Sequence, residues 1–399
     1  MGWDPSLRVR LVASKLMEGK SLLEFEIARM ELKKALSWAS DTGRITNVPM
    51  VMRVETLDDL GVRVSTITPV GTFWVDVLAE VITDGSAYVD LRPLLDPLSK
   101  GEATLMVRQE DPETLVVTGS DTKEEVARIP LTDAPEGFVE PSVASEGTRI
   151  NVDADRFYTA VERVKPVQGV MSNGPGLQKA SMSIHDGMLT LVGTNRTAVV
   201  RDRFPASIMG ATVENVAVDA TRWIKAFKRA ARDGERKIIV SDAYVGLLWS
   251  SGGAAFYRET LDLSAYAEAA EQALADRMGD EGIEFPTKAA VTITKNHKKA
   301  ELVAIQFPEL NKQGKLTFKM EDGTTETTID ARTSESVRSV VVTPTNLSKV
   351  ALAFGTTGKM FYPTNVFRPI VFTENGSAPD ESELVGAIMT VDTKGARTS

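Results

Sequence analysis

One pattern recurs about six times along this chain: a short helix-like stretch, two to four β-rich stretches and an acidic turn, with basic residues on several of the helices. The clearest copy runs from Asn151 to Phe204. A helix is expected over Asp153 to Val164, followed by the strand pair KASMSIHDGMLTLVGTNRTAVV, which turns at His185-Asp186-Gly187. The next copy opens VAVDATRWIKAFKRAARDGERKIIVSDAYVGLLWS, again a strand, a basic helix and two strands. A single unit of this kind cannot bury its own apolar face, so the units must stack into an array. With 399 residues the chain is also too long for one ordinary core.

The remaining copies are less regular. LLEFEIA (Leu22 to Ala28) alternates as a half-buried strand, and Met30 to Ser40 follows as a helix with Leu32, Leu36 and Ala39 on one face. Strands are expected at Met50 to Glu55, Val62 to Thr68 and Trp74 to Val81. In VDLRPLLDPLSKG, Pro93 and Pro97 cannot both lie inside a regular helix, so this copy is short or distorted. A hairpin turns at Asp111-Pro112-Glu113, and 132–147 reads as a linker. LSAYAEAAEQALADRMGD (Leu263 to Asp280) is alanine-rich and acidic and reads as a separate helix. Beyond it, Lys295, Lys298 and Lys299 decorate a helix with Ala300, Leu302, Val303 and Ile305 on its apolar side, and Leu384 to Val391 forms the last strand. The expected partition is an extension over 1–21, domains over 22–147, 148–258 and 286–399, and a helical insertion over 259–285.

Composition removes several classes of chemistry. There is no cysteine, which excludes disulfides, thiolate metal sites and cysteine nucleophiles. The two histidines, His185 and His297, fall in different units. Walker, nucleophile-elbow and zincin motifs are absent. Acid pairs such as Asp58-Asp59, Glu124-Glu125 and Glu321-Asp322 sit at turns or strand ends, where turn chemistry accounts for them. The Gly-rich SNGPG at 172–176 lacks the lysine and hydroxyl of a phosphate loop. Without an apolar run of membrane-spanning length or a leader pattern, a cytoplasmic, non-catalytic protein without cofactor or metal is expected.

The basic helices are the one constellation left. Thr221 to Arg232 places Trp223, Ile224, Phe227, Ala230 and Ala231 on one face and Arg222, Lys225, Lys228, Arg229 and Arg232 largely on the rest, with Asp219 and Thr221 as candidate caps. Lys33 and Lys34, then Arg156, Arg163 and Lys165, then Lys295, Lys298 and Lys299 occupy corresponding helices. A solvated amphipathic face accounts for one such helix. If the array curves so that all of them line one side, their charges form a positive track that takes phosphates without reading bases. The net charge of −9 describes the whole surface and does not exclude such a track.

At LTLVGTNRTAVVRDRF (Leu189 to Phe204) the chain resembles the bacterial DNA polymerase III beta subunit, the sliding clamp, whose motif L-x-L-x-A-T-D-x-x-R-L-A is matched in part by Leu191 to Val200. The resemblance runs from about Leu22 to Val391. ADRFYTAVERV is similar to the opening helix of the family's second domain, TTGKMFYPTNVFRPIVF to the terminal strands of actinobacterial members, and AIMTV stands at the family's Met-Pro ending. It implies an α+β clamp fold of three tandem similar domains, each with two helices lining the inside and antiparallel sheets outside. Two chains would close head to tail into a ring around duplex DNA. Implied partners are duplex DNA, a DNA polymerase and a clamp loader that dock through linear motifs, and a second copy; no membrane is involved.

The resemblance also implies a partner-peptide pocket between the second and third domains, at Leu177, Thr194, Val199, Phe367, Pro369, Met389 and Val391. Departures from the family pattern gather there. Its Gly-His or Arg-Phe pair is Arg196-Thr197, its arginine is Ala198, and its Met-Pro is Met389-Thr390. The stretch Leu263 to Asp280 replaces the loop bearing other pocket residues. These departures imply a diverged member, actinobacterial-like or phage-encoded. The alternative is a clamp-fold regulator or decoy of replication that forms no loaded ring.

Overall fold

The structure is a computed structural model and describes residues 22–43, 50–57, 61–135, 147–170, 176–210, 212–230, 236–276, 278–284, 287–296, 301–306, 313–320, 323–332, 339–355, 358–362, 368–374 and 384–391. Seven α-helices lie in these residues: α1 (Arg29–Gly43), α2 (Leu91–Leu95), α3 (Ala154–Val164), α4 (Ala220–Ala230), α5 (Ser264–Ala275), α6 (Thr287–Asn296) and α7 (Pro344–Phe354). None is long and apolar enough to cross a membrane. The chain divides into two compact units, one of Met1–Glu146 with Lys228–Tyr257, the other of Gly147–Phe227 with Arg258–Ser399.

The first unit contains a five-stranded antiparallel sheet in the order Glu80–Thr83, Glu24–Ala28, Thr104–Asp111, Thr114–Gly119, Glu125–Pro130. Its second sheet runs Arg236–Val240, Tyr244–Trp249, Gly252–Tyr257, Gly71–Leu78, Gly61–Thr68, Val51–Leu57, Ser86–Asp90. Strand 252–257 therefore hydrogen-bonds a strand some 180 residues earlier, with Gly253 opposite Trp74. Glycine is required there, because a Cβ on Gly253 would sit 2.1 Å from the Trp74 ring. Leu32, Leu36 and Ala39 of α1 recur at helical spacing and bury against Phe25, Ile27, Val54 and Val64. Trp38 meets Phe73 and Trp249 edge to face.

Where Pro93 and Pro97 fall, α2 lasts five residues and gives way to a 3-10 turn over Asp96–Ser99, the short copy the prolines demand. The stretch Trp74 to Val81 is not one strand but the end of Gly71–Leu78 and the start of Glu80–Thr83. The hairpin at Asp111 forms as expected, with its carboxylate accepting from the Glu113 amide at 2.8 Å.

The second unit is built on an eight-stranded antiparallel sheet in the order Val213–Val218, Ala180–His185, Met188–Thr194, Ala198–Pro205, Leu384–Ile388, Ile370–Glu374, Gly358–Tyr362, Met278–Glu284. Its first hairpin turns at Asp186 (φ 51°) and Gly187 (φ 73°), the paired positive φ of a type I′ turn that an Asp-Gly dipeptide favours. Strand 198–205 then pairs with strand 384–388, Val199 opposite Ala387 and Asp202 opposite Leu384. A four-stranded sheet, Gly323–Arg332, Gln313–Met320, Val303–Gln306, Ser339–Val342, completes the unit together with the pair Thr148–Asn151 and Ser207–Met209.

Two expectations fail in this unit. The alanine-rich helix stops at Ala275, and 278–284 is a strand paired with 358–362. Gly279 and Gly282 weaken any helical continuation there. Val303 and Ile305 do not face the apolar side of a basic helix; they are alternate buried positions of strand Val303–Gln306, at period two rather than 3.6. The helix in that region, α6, lies earlier and carries Lys295, while His297, Lys298, Lys299 and Ala300 lie outside the described residues.

Candidate nucleic-acid interface and partner pocket

Among the predicted cations, the structure separates arginines that meet a buried carboxylate from cations at exposed or half-buried helix positions. α3 starts as its sequence dictates: the Asp153 side chain caps it, accepting from the Arg156 amide at 2.7 Å. Phe157, Ala160, Val161 and Val164 form its buried face. Its two arginines converge on Asp202, which is fully buried. Arg156 donates to both Asp202 oxygens and lies over the Phe204 ring, 4.3 Å from its centre. Arg163 donates to Asp202 and to Glu374. Burial pushes the Asp202 carboxyl above its ordinary range, while Arg156 and Arg163 pull it down. Arg156 and Arg163 thus neutralise a buried carboxylate, a role the basic-helix pattern did not disclose.

α4 is different. Asp219 caps it through the Arg222 amide, as the sequence indicated, and also pairs with the Arg222 guanidinium at 3.0 Å. Trp223, Ile224, Phe227 and Ala230 are buried, and Lys225 and Lys228 are exposed with Arg229 half-buried beside them. On α1, Lys33 is half-buried and Lys34 is exposed, paired with Glu31 one turn away at 2.6 Å. Arg232 lies outside the described residues.

The predicted pocket residues also divide. Val199 sits in a row across the eight-stranded sheet, opposite Thr194 on one side and Ala387 on the other, with Val371 beyond. Leu177, Val192, Val199, Val371, Val385 and Ala387 form one apolar cluster, and α5 is seated on it through Leu263, Ala270, Ala273 and Leu274. Leu177 and Val199 are accordingly only 6% and 8% exposed. Thr194 is fully buried, its hydroxyl donating to the Ala198 carbonyl at 2.8 Å and accepting from the Arg196 amide at 3.0 Å. Met389 is 47% exposed and Pro369 and Val391 are half-buried; Phe367 lies outside the described residues.

The turn in front of Met389 is held by a polar network that sequence reasoning missed. The Asn195 side-chain oxygen accepts from the Thr197 and Ala198 amides, and its amide donates to Asn346 at 2.8 Å. Asn346 in turn donates to the Thr197 hydroxyl, and the Met389 amide donates to the Thr197 carbonyl. The network holds Arg196 at φ 81°, a conformation that favours glycine. The sequence signal was the Thr-Asn pair before an exposed arginine.

Adjacent residues of strand 198–205 work on opposite faces of the sheet. Arg201 reaches Glu271 of α5 at 2.7 Å, while Asp202 takes the α3 arginines on the other side. Burial lowers the Arg201 pKa from its ordinary value, opposed by Glu271. Gly386 on the neighbouring strand lets α7 approach: a Cβ there would lie 2.9 Å from both Val350 and Phe354.

This architecture recurs in solved structures over nearly its whole length. The Caulobacter crescentus beta sliding clamp matches with a TM-score of 0.75 at 14% identity, over 94% of this chain and 100% of that one. The beta chain of DNA polymerase III from Streptococcus pneumoniae matches at 0.73 and 11% identity, over 93% and 100%. A Pseudomonas aeruginosa sliding clamp bound to griselimycin matches at 0.71 and 13% identity, again over 93% and 100%. No protein-family model and no curated protein matches the sequence. The chain has the sliding-clamp fold.

Proposed function

We propose that this chain is a DNA sliding clamp, closing with a second copy into a head-to-tail ring around duplex DNA and tethering a DNA polymerase for processive synthesis. The observation that carries the reading is the fold match, which takes in the full length of known clamps rather than one module of them. Exposed cations on α1 and α4 support it, since a ring that holds DNA by topology needs only a sequence-blind positive inner face. Such a ring needs no catalytic residue, and the protein acts as an accessory subunit in the cytoplasm with no cofactor. Its working partition is three domains, over 22–147, 148–258 and 286–399. Lys295 on α6 carries the basic face into the third domain, and Met389, Pro369 and Val391 form the rim at which polymerase and loader motifs dock.

The test is retention on DNA after loading. A clamp stays on closed circular DNA and slides off once the circle is cut; equal release from both forms sinks the reading. Light scattering across a dilution series supplies the second arm, with a mass of two chains expected. A second reading, a clamp-fold regulator of replication that forms no loaded ring, is favoured by α5 lying over Leu177 and Val199. A monomer at micromolar concentration that competes for polymerase would support it instead.

A further inference from the structure

We infer that α5 is a detachable cap, a segment of the chain itself that occupies the apolar partner surface of the eight-stranded sheet until a partner displaces it. The identity of that surface as a docking site rests on the clamp reading; whether the cap opens does not.

The seat of α5 is shallow. It enters the cluster through Ala270, Ala273 and Leu274, with Leu263 just before its first turn and Tyr266 and Ala267 only partly buried. Alanine removes little apolar area from water compared with the aromatic side chains that anchor α3 and α4. Its ends are weakly secured. Leu263 stands at the N-cap with no side-chain hydrogen bond, and the last turn has no basic residue. The start is held by Asp262, which accepts from the Ser264 amide at 2.9 Å and whose carboxyl is thereby lowered. An alanine-rich stretch of twelve residues keeps high helix propensity but is marginal without a partner.

The polar ties lie at the rim, where water and salt compete for them. Glu271 pairs with Arg201 but is 53% exposed, and Asp276 reaches Arg368 at 3.7 Å with Arg368 54% exposed. Beneath the cap, by contrast, Val199, Val371, Val385 and Ala387 present a continuous apolar surface with the Arg201 guanidinium at its edge. A short partner segment bearing apolar side chains and one carboxylate matches this surface as α5 does, replacing Leu274 in the seat and Glu271 on Arg201.

The absence of cysteine from the chain makes the cap directly readable by thiol labelling. Single cysteines are placed in the full-length protein at Val199 beneath α5, at exposed Ser207, and at Ala160 in the buried face of α3. Val199→Cys is expected to react at least about 100-fold more slowly than Ser207→Cys, as for a site exposed only by local opening. Ala270→Glu or Leu274→Asp then raises the Val199→Cys rate at least about tenfold while Ala160→Cys stays protected, because the opening is confined to α5. Three results overturn the inference: Val199→Cys as reactive as Ser207→Cys in the parent, no acceleration in either α5 variant, or Val199→Cys and Ala160→Cys becoming reactive together. Loss of ring retention on circular DNA with a cap that still opens would sink the clamp reading and leave the cap standing.

Discussion

On one face of the eight-stranded sheet, α3 and α7 press aromatic side chains into the strands; on the other, α5 rests on Ala270, Ala273 and Leu274. Phe157 of α3 packs against Phe204, Trp223 and Phe227 with ring centres 5.4–6.4 Å apart. Phe354 of α7 meets Phe372 at 6.1 Å. The ionic ties follow the same division. Asp202 is buried under two arginines, whereas the Arg201–Glu271 pair opens to water on its acidic side. One sheet thus has a face that makes the core and a face that is merely covered, and two neighbouring residues, Arg201 and Asp202, mark the boundary between them. A helix set in the core and a helix seated more shallowly can therefore pack on opposite faces of the same strands.

The strongest way to break this comparison is at Phe157. Phe157→Ala should destabilise the second unit by about 3–5 kcal/mol, the range for deleting a fully buried aromatic. Leu274→Ala on α5 should fall at the low end of the range for buried leucines, about 2 kcal/mol, and act locally. Equal losses by denaturant unfolding would make the two faces equivalent. Asp202→Ala comes between them. It takes the buried carboxylate from Arg156 while Arg163 keeps Glu374, a change that costs roughly 3–5 kcal/mol in a fully buried pair and less here, because both arginine side chains keep about a fifth of their surface in water.

The Arg201–Glu271 pair gives a finer discrimination. A double-mutant cycle should return a coupling below about 1 kcal/mol, falling as salt is raised, because the glutamate is half solvated. A larger, salt-insensitive coupling would show α5 locked onto the sheet rather than resting on it.

Legibility in the sequence followed the same division. α3 and α4 were readable to within a residue or two because their apolar residues recur at helical spacing and Asp153 and Asp219 stand where caps belong. The Asp186-Gly187 hairpin was readable from its turn chemistry alone. α5 was readable as a helix from its alanines, but not its end, because strand 278–284 exists only through pairing with 358–362, some 80 residues away. Val303 and Ile305 were misplaced because a four-residue strand is too short to establish its period. At the candidate site, Val199, Met389 and Pro369 were named from the clamp resemblance alone, and nothing in it indicated that α5 covers Val199. Nor could the pattern of basic residues tell Arg156 from Lys228. Both occupy a polar helix position, and only the fold brings Asp202 to one of them.

That last distinction carries the smallest effect on stability and the sharpest functional contrast. Replacing Lys228 and Arg229 of α4 by alanine should leave unfolding free energy within about 0.5 kcal/mol, as for surface substitutions away from special features. It should instead flatten the salt dependence of DNA association by about 0.9 in log–log slope for each phosphate contact removed. Arg156→Ala should do the reverse, lowering stability while leaving the slope unchanged, because its charge is spent on Asp202 rather than on solvent-facing phosphate. Fluorescence anisotropy of a short duplex against salt, paired with denaturant melts of the same variants, separates the two classes. If the α4 variants alter stability and not the slope, the exposed cations of α4 are a solvated face and the DNA track lies on other helices.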